Sequence, residues 1–374
     1  PRSKYLHFPC GMEASADFES IRARVQKYAD ISPAFEATAK RREARRHPGG
    51  FDRAAWRELA ELGVLALPFA AEAGGLGGGP VEIFAVAEPL GAGLATEPFT
   101  ESLVMAGTLL EAAGEGPGRA ALARVIAGEA VPAAALGERA GRYNLHHVET
   151  RARADGGGWR LSGAKSAVWQ GGAADLLVVS ARVSGDARDA GGLGLFLVEA
   201  DAAERRPWVA ADGSLAAEVA FRDTPATFLE CDATDALETA LDRTWLAASA
   251  EMLGVASMLF EQTLAYVKTR VQFGQPIGRF QAIQHRMVDC YAALEQGRSM
   301  VCRAAAKGDT AAIAAARAYL AEAAIAIAHE AVQFHGGMGV TDELIIGHGL
   351  KRIQMLARLH GDQGVAAARY AEAA

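Results

Sequence analysis

Apolar positions recur at two spacings along this 374-residue chain, and the changes between them mark three regions. To about residue 130 the period is helical. Phe18, Ile21, Val25 and Tyr28 fall on one face of a first helix. A second is predicted from Phe51 to Leu62, with Trp56, Leu59 and Leu62 together and Gly63 as its stop signal. Pro80 closes the run Gly74-Gly75-Leu76-Gly77-Gly78-Gly79 and suits the first turn of a helix carrying Ile83, Val86 and Leu90. From about 131 to 234 the period shortens. Val148, Thr150 and Ala152 alternate before Asp155-Gly156-Gly157-Gly158, and Trp159 and Leu161 alternate after it, which predicts a hairpin. Leu176 to Val183, Leu193 to Val198, Val219-Ala220-Phe221 and Thr227-Phe228-Leu229 have strand length and strand composition, implying a small barrel or sandwich. From 235 the helical period returns. Leu253, Ala256, Phe260, Leu264 and Val267 form one stripe; Met287, Tyr291 and Leu294 a second; Ile313, Leu320, Ala324, Ile327, Ala331 and Phe334 a third. A last stretch runs from Leu350 to about Leu359, and the set predicts an antiparallel four-helix bundle.

The expected organisation is therefore a helical N-terminal domain (12–130), a β middle domain (131–234) and a helical C-terminal domain (235–374). Residues 1–11 match nothing that follows and are expected to be an added or disordered leader. A chain of this length exceeds one ordinary core, in agreement.

Composition narrows the function. With 51% hydrophobic and 22% charged residues the chain reads as an ordinary globular protein. A formal charge of −7 argues against broad binding to nucleic acid or anionic membrane, although one local basic patch suffices for a small anionic ligand. No secretory signal is visible, and no apolar run reads as a membrane span. The richest, Thr310 to Ala331, is mostly Ala and is interrupted by Arg317, Glu322 and Glu330. Cys10, Cys231, Cys290 and Cys302 are few and widely spaced, so a reducing cytoplasm is expected.

Few motifs carry chemistry by themselves. The glycine run 74–79 follows a helix, whereas a dinucleotide fingerprint must follow a strand, so it is read as a turn. The nine histidines show no zinc spacing, and the adjacent pair His146-His147 is expected to be structural or on the surface. Arg270 to Gln281 says more. Gly274 and Pro276 break a helix, Phe280-Gln281 starts the next, and an Arg beside an aromatic at a helix end suits a diphosphate and a stacked ring. A helix-hairpin loop with a surface Arg would look the same.

The segment Arg-x-x-Phe-Gly-x-Pro-x-x-x-Phe-Gln at Arg270–Gln281 resembles the acyl-CoA dehydrogenase superfamily. So does Gln333-Phe334-His335-Gly336-Gly337-Met338-Gly339. Trp56 to Gly63, Gly74 to Gly77, Gly163-Ala164-Lys165 and Ala174-Asp175 are similar to it in order and spacing. The resemblance implies a helical domain, a β-barrel and a four-helix bundle, with FAD between the last two and reaching a neighbouring subunit of a homo- or hetero-tetramer. It implies that Arg270, Gln272, Phe273 and Gln281 contact the adenosine-diphosphate half of FAD. Gln333, Phe334, His335, Gly336 and Gly337 would do so from the adjoining chain, small glycines letting the backbone approach. The implied reaction is α,β-dehydrogenation of an acyl-CoA, with an electron-accepting flavoprotein as redox partner.

Two places depart from that pattern. The base is usually a Glu followed by Gly; counted from Gly336-Gly337, the position holds His360, with Asp362 two residues on. The alternative Glu position of one branch falls on Thr244. The ring-contacting Trp-x-Thr becomes Ala167-Val168-Trp169, and the preceding flavin loop becomes Gly137-Glu138-Arg139-Ala140-Gly141-Arg142-Tyr143-Asn144. Three readings follow: His360 is the base, Asp362 replaces it, or the chain is a catalytically incomplete partner subunit beside a complete homologue. Thr341-Asp342-Glu343-Leu344, Gly347-His348 and Lys351-Arg352 resemble the small subunit of pimeloyl-CoA dehydrogenases and the paired subunits of steroid-degrading dehydrogenases. A flavin oxidase of the same fold is an alternative. A cofactor-free helical scaffold is the reading from another class, and retention of Arg270, Phe273, Gln281 and Gln333 speaks against it.

Overall fold

Helix, barrel and bundle follow one another in the computed structural model, which describes residues 23, 25, 34–189, 191–229 and 233–374. Phe18, Ile21 and Tyr28 of the first predicted helix, the leader 1–11, Cys10 and Cys231 lie outside the described residues; Val25 is buried.

The N-terminal region forms α1 (Ala34–Arg46), α2 (Arg53–Glu61), α3 (Pro80–Ala92), α4 (Met105–Ala112) and α5 (Pro117–Ile126). Asp52 caps α2 by accepting from the Ala54 N–H at 2.8 Å, and Trp56 and Leu59 fill its buried face. The glycine run is a turn into α3, where the Glu82 carboxylate accepts from the Gly79 N–H at 2.7 Å. A buried π-helical turn, Phe99–Val104, leads into α4.

The middle strands are β1 (Pro132–Ala135), β2 (Arg151–Asp155), β3 (Gly158–Trp169), β4 (Leu176–Arg182), β5 (Leu193–Glu199), β6 (Glu204–Val209) and β7 (Leu215–Leu229). Pairing runs β4-β2-β3-β7-β5 and returns from β5 to β4, so the sheet closes into a barrel. Leu161, Val168, Leu177, Val179, Phe196, Val219 and Phe221 fill it. One expectation is corrected here. Val219–Phe221 and Thr227–Leu229 belong to the single strand β7, because an irregularity around Asp223 (φ 56°) lets one ladder continue from β3 onto β5.

The C-terminal region forms α6 (Ala233–Thr269), the hairpin β8 (Val271–Gln272) and β9 (Gln275–Pro276), α7 (Gln281–Lys307), α8 (Thr310–His335), α9 (Ile345–Leu356) and α10 (Gln363–Ala373). In place of one fourth helix, α9 and α10 both pack on α8, separated by the turn through His360 and Gly361. Tyr291 of the second stripe is 47% exposed, its ring tilted against that of Phe260 at 5.8 Å. By length and composition the segment Thr310–Val340 could cross a membrane, contrary to the expectation that no run would. It is nonetheless built as a core helix: 56% of its most apolar window is buried, and Arg317 is buried with it. At the crossing of α3 and α6 the backbones touch, since a Cβ on Gly254 would collide with the Glu88 carbonyl.

One buried cation ties the three regions together. Arg352 of α9 pairs with Glu251 of α6 at 2.6 Å, with Glu101 of the π-turn at 3.2 Å and with Asp212 of the barrel at 3.2 Å. All four residues are buried. Burial alone would raise Asp212, but the Arg352 and Arg45 charges hold it at about 2, and the three carboxylates raise Arg352 well above its ordinary value.

Candidate functional site

Arg270 follows the last residue of α6, and Gln333–Gly337 ends α8. The chain brings both segments to the same end of the bundle, because the Tyr266 ring stacks on the His335 ring at 4.3 Å. His335 and Phe334 face inward. The imidazole Nδ1 contacts the Ala331 carbonyl at 2.8 Å, burial lowers its pKa, and the Arg286 guanidinium lies 4.7 Å over the Phe334 ring. They brace the surface from beneath.

The remaining residues form its outer face. Arg270, Gln272, Phe273, Gln281, Gln333, Gly336 and Gly337 are exposed. The Arg270 guanidinium makes no hydrogen bond or ion pair among the described residues. Phe273 and Gly274 both have positive φ, 53° and 78°, and form the two-residue turn between β8 and β9. Asn, Asp and Gly suit such a turn; Phe does not, yet its ring stands 91% exposed. A Cβ at Gly274, Gly336 or Gly337 would meet open space, so the backbone is bare to an approaching ligand. An unpaired guanidinium, a projecting aromatic and bare backbone fit a diphosphate joined to a planar ring.

His360 lies at the other end of α6. Gly361, beside it, packs against the Trp245 ring. At about 1.5 Å rise per residue, Trp245 and Tyr266 stand roughly 30 Å apart along the helix axis. The Arg270 face and the His360 turn of one chain therefore lie far apart along the bundle. His360 itself has φ 53°, and its Nε2 is shut from solvent without a partner. Burial, then the Arg317 charge, pushes its pKa down to about 4. It faces a cavity of about 200 Å³ between the barrel loop 143–146 and the bundle. Asp362 is not in that cavity: it is exposed, and its carboxylate caps α10 by accepting from the Val365 N–H at 3.0 Å. Thr244 is buried, its hydroxyl donating to the Ala240 carbonyl at 2.7 Å.

The barrel motifs are structural here. Lys165 is buried and donates to Glu138 at 2.7 Å, Ser180 at 3.1 Å and the Leu136 carbonyl at 3.0 Å. Asp175 joins Arg53 of α2 at 2.8 Å and accepts from the Val131 N–H. Ala167 has φ 51°, and the Trp169 ring packs edge-on to Trp208 at 5.9 Å. His146 meets Glu238 of α6 at 2.5 Å; His147 is buried. Sequence reasoning missed Arg317, Trp245 and the partners of Arg352. A signal existed for Arg317, which lies on the same helical face as Ile313, Leu320 and Ala324, where a charge is unexpected.

The helical domain, closed barrel and bundle, with a diphosphate-type face at one end of the longest helix, define a class, and comparison with known proteins agrees. Sequence profiles of the acyl-CoA dehydrogenase N-terminal, middle and C-terminal domains match residues 15–129, 133–224 and 234–374. The chain belongs to the acyl-CoA dehydrogenase family. It is 42% identical over 120 residues to acyl-CoA dehydrogenase IpdE2 of Mycolicibacterium smegmatis, a stretch covering 32% of this chain and 39% of that protein. A variant of the Tcur3481-Tcur3483 steroid ACAD superposes with TM-score 0.82 at 29% identity, covering 95% of this chain and 96% of that one. The ChsE4-ChsE5 complex from Mycobacterium tuberculosis superposes with TM-score 0.82 at 25% identity, covering 98% of each chain.

Proposed function

We propose that this chain is one subunit of an FAD-dependent acyl-CoA dehydrogenase that works as a hetero-oligomer, and that it contributes the adenosine-diphosphate face to a partner chain carrying the catalytic base. The observation that carries this reading is the base position. It holds an imidazole with a pKa near 4, facing a cavity of about 200 Å³, below the roughly 300–1,000 Å³ of ordinary ligand pockets. A base so reluctant to take a proton is a poor match to α-proton abstraction near neutral pH. Asp362, spent on a helix cap, does not replace it.

In this assignment Arg270 holds the diphosphate by paired N–H donors, Phe273 stacks on the planar ring, and the bare backbone at Gly336 and Gly337 lets it lie close. Gln272, Gln281 and Gln333 supply neutral hydrogen bonds at the margin. Bound FAD would supply the hydride acceptor for α,β-dehydrogenation. The separation along α6 supports assembly, since each chain offers its two ends to different neighbours. Two solved relatives with paired chains, the Tcur3481-Tcur3483 steroid ACAD and the ChsE4-ChsE5 complex, support a mixed one. A CoA thioester of fatty-acid or steroid type is the proposed substrate, an electron-transferring flavoprotein the proposed acceptor, and the cytoplasm, where Cys290 and Cys302 stay free thiols, the proposed location.

The test is purification alone and after co-expression with a homologue that has the glutamate. Alone, the chain should bleach no flavin when acyl-CoA is added without oxygen; the co-purified pair should bleach. Bleaching by the lone chain, abolished by His360→Ala, would instead make His360 the base. A colourless pair that takes up no FAD would leave the scaffold reading.

A further inference from the structure

The nucleotide face rests on a small cluster of its own. Val267, Met287 and Phe334 are buried there, and Phe260, Leu264, Tyr266, Ile277 and Ile283 pack against them. These residues come from α6, the segment after β9, α7 and α8, the elements that also carry Arg270, Gln281 and Gln333–Gly337. So few buried side chains hold the spacing of three helix ends loosely, and directional contacts have to add to it.

Two such contacts reach the end of α8. From α6, the Tyr266 ring stacks on His335. From α7, Arg286 makes a double contact. Its Nη2 pairs with the Glu330 carboxylate at 2.6 Å, and its guanidinium carbon stands 4.7 Å from the centroid of the Phe334 ring. Glu330 and Phe334 are one turn apart on the same face of α8, so one planar group spans both. The ion pair fixes the direction of the guanidinium, and the ring fixes its plane. A lysine ammonium is a point charge and could keep only the first. Gln333 precedes Phe334, and Gly336 and Gly337 follow within one turn, so a shift at Phe334 moves all three.

Arg286 differs from Arg270 in having its charge met. Glu330 pairs with it, whereas Arg270 makes no ion pair among the described residues. An incoming anion is therefore drawn to Arg270. The Arg286 side chain is 43% exposed, so replacing it leaves the buried cluster in place.

We propose that Arg286 is a positioning residue of the nucleotide face. Through Glu330 and Phe334 it holds Gln333, Gly336 and Gly337 at the spacing from Arg270 that a diphosphate and its planar ring require, and it touches no ligand itself. This rests on the reading of the Arg270 face as the seat of the adenosine-diphosphate half of FAD.

Titration calorimetry of the purified chain with ADP tests it. Arg286→Met should weaken ADP about tenfold, and Arg286→Lys, which keeps the charge, nearly as much. If Arg286→Met does not fold, Arg286→Lys carries the test. Exchanging the pair, Arg286→Glu with Glu330→Arg, returns a guanidinium to one turn from Phe334 and should restore the affinity. Salt screens the charges that meet the ligand, so ADP binding should weaken with salt as steeply in Arg286→Met as in the unchanged protein, and less steeply in Arg270→Met. Unchanged affinity in the folded single variants, or no recovery in the exchanged pair, would overturn the proposal. So would a shallower salt dependence in Arg286→Met, which would make Arg286 a direct anion contact. Failure of the unchanged protein to bind ADP would remove the nucleotide reading along with the proposal, and it is seen before any substitution is made.

Discussion

A phenylalanine in left-handed backbone conformation, with its ring 91% exposed, is strained by about 1 kcal/mol or more. Phe273→Asn relaxes the turn. The FAD-free protein should gain up to about 1 kcal/mol in urea unfolding while FAD affinity falls at least tenfold by flavin fluorescence titration. Affinity unchanged by this substitution would remove Phe273 from the cofactor face. At His360 the sign follows from a folded pKa of about 4 against an ordinary 6.5. Between those values the unfolded chain binds the extra proton, so this group's contribution is complete above pH 6.5 and is lost as pH falls to 4. His360→Gln should abolish a stability loss on the order of 3 kcal/mol across that window. His335 and His348, also lowered by burial, keep their own share of the slope in both proteins. The motif residues were legible because local spacing displays them. The neighbours of His360 were not, since Trp245, Arg317 and His146 come from three distant segments.

The element that organises the site is α8, through one side chain. Arg317 gathers three carbonyls of the turn between α9 and α10, that of Leu356 alongside the Leu359 N–H. Arg317→Met should cost roughly 2–4 kcal/mol, with faster amide exchange concentrated in residues 356–364. Uniformly faster exchange would argue for global destabilisation instead. The sequence period placed α6, α7 and α8 correctly, because long stripes outweigh local exceptions. It ran β7 as two strands, because Arg222-Asp223-Thr224-Pro225 has the composition of a turn while its backbone stays in the ladder. It also passed over α10, whose cap at Asp362 was noticed as a candidate base. A carboxylate before a helix satisfies both descriptions until its hydrogen bond is seen.

At the scale of the molecule, Arg352 is where the three domains meet. Arg352→Met takes the shared cation from Glu101, Glu251 and Asp212, although Arg45 stays 3.9 Å from Asp212, and should cost about 3–5 kcal/mol at pH 7. Part of that loss should return on acidification to pH 5, since a stranded carboxylate can escape by taking a proton; a deficit independent of pH would count against buried charge as its cause. No sequence pattern announced this centre, for its members are separated by as many as 251 positions. The assembly makes its own prediction: the co-purified pair should carry one FAD per two chains by absorbance, with this chain's nucleotide face filled and its own base-side end empty. Two FAD per pair would show that both ends work.

The long α6 holds the Arg270 face and the His360 end rigidly apart, and in the proposed assembly this has a genetic consequence. Damage at one end of a chain leaves the other end fit to serve a neighbour. A duplicated gene could then lose one half-site without ceasing to be needed, and the departure at His360 is what such a history would leave behind.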